Sequence, residues 1–91
     1  GKTGVKKMKI NIELPCIPGT DVYVIDPSIT DGNISKCKVR EFVIEETGVW
    51  VVLYNPKIFR RHALRVDCFN KTIFLSKATA VKAKENLKWH Q

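Results

Sequence analysis

Ninety-one residues, 44% of them hydrophobic, bound one small domain with little room for a deep catalytic cleft. The formal net charge of +7 favours acidic partners such as nucleic acid or an acidic protein face. No apolar run approaches the ~18 residues of a membrane span, and no apolar leader follows the N-terminus.

The charge is uneven along the chain. Residues 1–9 carry Lys2, Lys6, Lys7 and Lys9. Residues 10–35 sum to −4, residues 36–65 to +4 and residues 66–91 to +3. The chain starts with Gly, and residues 1–8 are expected to be a flexible basic segment, native or added. Without Lys2, Lys6 and Lys7 the net charge is +4. Residues 9–91 form the single folded domain.

Lys9 to Leu14 (KINIEL) alternates apolar and polar residues, the period of a half-buried strand. Pro15 and Pro18 break it. DVYVID, residues 21–26, is a second short strand. PSITDGNISK, residues 27–36, reads as a loop, with Asp31-Gly32-Asn33 as turn chemistry. Residues 37–54 read as a β-hairpin: Cys37 to Ile44, a Glu45 to Gly48 connection, then Val49 to Tyr54. Gly48 is the expected positive-φ residue. The alternation slips at Arg40-Glu41, where a bulge would send both Val39 and Phe42 to the core. Val49, Val51 and Leu53 share one face, and Trp50, Val52 and Tyr54 the other. Either the strand is central and covered on both sides, or Trp50 and Tyr54 form an exposed aromatic patch.

Residues 55–70 read as irregular, or as a short strand or turn. KTIFL, residues 71–75, is another strand. Residues 76–89 read as a helix capped by Ser76, with Ala80, Ala83 and Leu87 on one face. Short strands joined by turns favour an antiparallel sheet, and closure into a small barrel would remove exposed edges.

Cys16, Cys37 and Cys68 are odd in number and widely spaced, with no close pair. That opposes a disulfide framework and points to a reducing compartment, hence the cytoplasm. A Cys3His metal site with His62 is disfavoured on spacing, and buried cysteines fit better. No phosphate loop or nucleophile motif is present. A Cys68–His62 pair is opposed by Asp67, whose carboxylate would hold the thiol protonated. The expectation is a non-enzymatic protein with no cofactor and no small-molecule substrate.

The densest chemistry is NPKIFRRHALR, residues 55–65. Arg60, Arg61, Arg65 and Lys57 form a positive patch suited to phosphate or carboxylate. Trp50, Tyr54 and Phe59 are close in sequence and suited to stacking on bases or filling a partner's pocket. Lys36, Lys38 and Arg40 alternate on one strand and would widen the patch into a groove. The bland alternative is that Trp50 and Phe59 are core and the arginines merely solvated.

GTDVYVI (19–25), KVREFVIEETGVWVVL (38–53) and NKTIFLSKATAVKA (70–83) together resemble a set of small SH3-like barrel proteins. These are mostly uncharacterised and occur in phages, prophages and other mobile elements of Gram-positive bacteria. The resemblance covers residues 19 to 84 and implies an SH3-like barrel with a C-terminal helix. Two features depart from it. Lys77, Ala78 and Thr79 stand where acidic residues usually follow the cap, and 27–35 lacks the cysteine pairs of many relatives. The resemblance speaks to packing, not activity.

Two classes of function remain. One is a nucleic-acid-binding barrel, with Arg60, Arg61, Arg65 and Lys38 on phosphates and Trp50 or Tyr54 stacking. The other is a protein-interaction module acting on a host protein, for example an inhibitor of a CRISPR nuclease. A homodimer paired through KINIEL is a third option.

Overall fold

The computed structural model describes residues 13–30 and 33–88. The expected basic segment 1–8, residues 9–12 of KINIEL and most of the Asp31-Gly32-Asn33 turn lie outside them. Glu13 and Leu14, the end of KINIEL, belong to no strand.

Five strands form one antiparallel sheet: β1 (Asp21–Val24), β2 (Ser35–Glu45), β3 (Gly48–Asn55), β4 (Arg60–Arg65) and β5 (Ile73–Phe74). Their order is β4-β3-β2-β1-β5, and the sheet curls into a half-barrel. Among the described residues closure is incomplete, because β4 and β5 remain the two edges of the sheet. A single helical turn, α1 (Pro27–Thr30), stands where a plain loop is expected, and β2 starts at Ser35. Thr30 holds that turn through its N–H and its hydroxyl, both donating to the Asp26 carbonyl. The C-terminal helix is α2 (Lys77–Lys88). Its cap is Ser76, whose Oγ accepts the Thr79 N–H at 3.2 Å.

The β2–β3 hairpin matches the pattern in the sequence. Register shifts between Val39 and Glu41, so Arg40 is the bulged residue. Val39 is buried and Phe42 packs against the core, as the broken alternation requires. Gly19 and Thr20 clamp this point from outside β1: the Gly19 N–H donates to the Val39 carbonyl, and the Val39 N–H to the Thr20 carbonyl. Gly48 has φ +140° and opens β3.

The sheet has two unlike faces. The concave face carries the main core: Val22, Val24, Cys37, Val39, Val51, Leu53 and Ile73. Phe69 is buried in it, and Cys16, Val66 and Cys68 close over it from the flanking segments. Among the described residues the convex face is covered only at the β1–β5 end. There α2 seats Ala80 against Ile25 and Phe74, with Tyr23, Ile34 and Ala83 around them. Ala80 is fully buried, so the alanine face of the helix allows close approach to the sheet.

Segment 55–70 is mostly regular. Arg60–Arg65 pairs with β3 in full register, and a 3₁₀ turn, Val66–Cys68, leads towards β5. The expected strand 71–75 is only two residues long. Asn55 is buried, and its Oδ1 accepts the Lys57 N–H, which starts the turn at 56–59. None of the described helices is long and apolar enough to cross a membrane.

Candidate functional site

Residues directly opposite in an antiparallel sheet share a face. The ladders therefore place three rows on the convex face. Arg65, Trp50 and Val43 form one row, and Ala63, Val52 and Glu41 the next. Arg61, Tyr54, Lys38 and Asp21 form the third. Lys36 lies beside it, opposite Tyr23. The outer rows are four residues apart on β3, roughly 13 Å at ~3.3 Å per residue.

Two cation–ring pairs stand at the ends of this surface. The Arg65 guanidinium lies 5.3 Å from the Trp50 ring centroid, and that of Arg40 5.8 Å from the Tyr54 centroid. The bulge is what lets Arg40 reach Tyr54, since it frees residue 40 from the strict alternation of β2. Arg65 is further held by donating from Nη2 to the Thr47 carbonyl at 3.2 Å. Trp50 and Tyr54 are half-buried and belong to neither core cluster. Trp50 Nε1 is enclosed and meets no acceptor among the described residues.

The charge of the face is largely uncompensated. Lys36 and Lys38 share one carboxylate, Asp21, at 3.8 and 3.6 Å. Among the described residues no carboxylate lies within salt-bridge distance of Arg40, Arg61 or Arg65. Glu41 and Glu45 temper the field without pairing with any of them.

No family model, curated protein or solved structure matches this chain.

Within the basic stretch 55–65, residues 60–65 form a strand, and this divides the arginines between two faces. Arg61 and Arg65 join Trp50, Tyr54, Lys38 and Arg40 on the convex face. Arg60 does not: it pairs with Asn55, one step out of phase, and points to the other face. The reason is the period of two within a strand, which separates adjacent arginines. Lys57 and Phe59 sit in the β3–β4 turn and belong to none of the three rows, though Lys57 lies near Lys36. Phe59 is 80% exposed with φ +53°, so it is not core. His62 faces the concave side opposite Leu53, with Nε2 enclosed and unpartnered among the described residues. The feature missed in the sequence is Gly48 as a seat for Arg65. A Cβ there would lie 2.7 Å from Arg65 Nη2.

Gly48→Ala is accordingly expected to push Arg65 off Trp50 and to strain a positive-φ backbone. A loss of about 1–2 kcal/mol in urea unfolding is the expected result. An unchanged midpoint would show that neither constraint operates.

The three thiols are free; Cys37 lies within the main core, and Cys16 and Cys68 pack against it. Burial pushes the Cys37 and Cys16 thiols up from 9.0, with a Thr20 hydrogen bond partly opposing this at Cys16. Their contribution to stability is full below pH 9.0 and is lost as pH rises through the higher folded values. No group of three His, Cys, Asp or Glu among the described residues is arranged to hold a metal ion.

Proposed function

We propose that the chain is a non-enzymatic SH3-like module that binds single-stranded nucleic acid across the open convex face of β2, β3 and β4. The observation that carries this reading is the pair of arginine–aromatic stacks, Arg65 on Trp50 and Arg40 on Tyr54. A guanidinium plane presents both a surface for a base and donors for a phosphate. Lys38 and Arg61 flank the second stack and supply backbone contacts. The meander with its last strand returning to β1, followed by a helix, supports the SH3-like reading; an origin in a mobile element rests on the sequence resemblance alone. Three free thiols support a reducing compartment, the cytoplasm.

The test is a titration with fluorescent single-stranded DNA and RNA carrying 5′-hydroxyl ends, at several salt concentrations. Four phosphate contacts, from Lys38, Arg40, Arg61 and Arg65, give an expected log–log salt slope of about −3. No binding at low salt would sink this reading. It would favour a protein partner such as a host nuclease, which exposed Ile58 and Phe59 at the β3–β4 turn suit better.

A further inference from the structure

A second basic feature lies beside the convex face, at its junction with α2. Tyr23, Ile34, Lys36, Lys57 and Lys77 line an open concavity of about 320 Å³. Its lysines come from three distant parts of the chain: β2, the β3–β4 turn and the first turn of α2. Tyr23 and Ile34 form its apolar floor, where they pack on the Ile25–Phe74–Ala80 cluster. Among the described residues no carboxylate lines it. Lys36 shares Asp21 with Lys38, while Lys57 and Lys77 have no acidic partner among the described residues. The adjoining concavity of about 270 Å³ contains Asp21 itself alongside Lys36 and Lys38, so it lacks the same charge excess.

Three lysines lining one small space, with Asp21 shared by only one of them, exceed what a single phosphodiester, with one negative charge, neutralises. A phosphomonoester carries up to two charges and three acceptor oxygens, and matches them better. The volume stands at the small end of ligand pockets, enough for a phosphate with one attached ring system. An aromatic side chain on the floor offers that ring a stacking surface.

We infer that this concavity is a phosphomonoester site, in which Lys36, Lys57 and Lys77 hold the phosphate and Tyr23 with Ile34 receives the flat ring attached to it. The ligand chemistry is that of a mononucleotide or of the phosphorylated end of a single strand. This site stands whether or not the convex face binds a strand, because only Lys36 borders both.

The experiment is an amide NMR titration of the full chain with adenosine 5′-monophosphate, adenosine and inorganic phosphate. Saturable shifts are expected at Tyr23, Ile34, Lys36, Lys57 and Lys77 with the monophosphate, and about tenfold weaker binding of either fragment. Lys57→Ala and Lys77→Ala should each weaken the monophosphate about fivefold, whereas Arg65→Ala should leave it unchanged. A short oligonucleotide with a 5′-phosphate then separates the sources. Tighter binding than both the monophosphate and its 5′-hydroxyl counterpart assigns the site to a strand end. Binding no tighter than the monophosphate assigns it to a free nucleotide. Equal affinity for adenosine, or shifts confined to Trp50 and Arg65, or no saturation, would overturn the proposal.

Discussion

Arg61→Ala/Arg65→Ala is expected to lose about hundredfold in affinity for single-stranded DNA, with the fold intact by circular dichroism. Each side chain is exposed and neither enters a core cluster, so their removal uncovers the Trp50 ring but leaves both cores intact. Each charge-assisted contact is worth about 1.4 kcal/mol here, a tenfold change. The salt slope should shrink in magnitude by about 1.4, because two of the four phosphate contacts are gone. Arg60→Ala supplies the internal control. It removes the same charge from the neighbouring position but from the other face, so less than a threefold loss is expected. Equal losses from Arg60→Ala and Arg61→Ala would mean that only net charge matters and that the face does not recognise a strand.

Leu53→Ala should be the most damaging single change to stability, at about 2–5 kcal/mol. Leu53 is fully buried on β3, with Val39 opposite on β2 and His62 opposite on β4. Truncation leaves a void at the middle of the sheet, between strands that cannot close on it without losing register. A domain of this size has a total stability of only about 5–14 kcal/mol, so the unfolding midpoint should fall by well over 1 M urea. Ile44→Ala provides the contrast. Ile44 points to the same face but lies beyond the covering segments and is 54% exposed. A loss of no more than about 0.5 kcal/mol is expected there. Comparable losses at both positions would contradict the placement of the core.

The hairpin was legible because its two signals are local. The broken alternation at Arg40-Glu41 and the glycine at 48 each depend on a few neighbouring residues, and the bulge and the turn stand where they indicate. The helix start was legible for the same reason, since Ser76 caps its own first turn. β4 was not. Arg60, His62 and Leu64 alternate with Arg61, Ala63 and Arg65, but arginine occurs in both sets and hides the period of two. Only pairing with β3 reveals which side each arginine takes. The half-burial of Trp50 and Tyr54 was also out of reach. It depends on arginines from β4 and from the bulge lying over the rings, which are contacts between strands. α2 covers only the β1–β5 end of the convex face, and nothing in the helix sequence says how far along the sheet it reaches.

β4 is an edge: among the described residues its only strand neighbour is β3. Such an edge is a template for sheet extension between molecules, and Arg60, Arg61 and Arg65 place like charges along it. The arginines that make the convex face attractive to polyanions therefore also keep one molecule's β4 from adding to another's. Any ligand that neutralises them weakens this protection at the same moment. Solutions of the protein should then be most prone to cloudiness near charge balance with a polyanion, and should clear again when the polyanion is in excess.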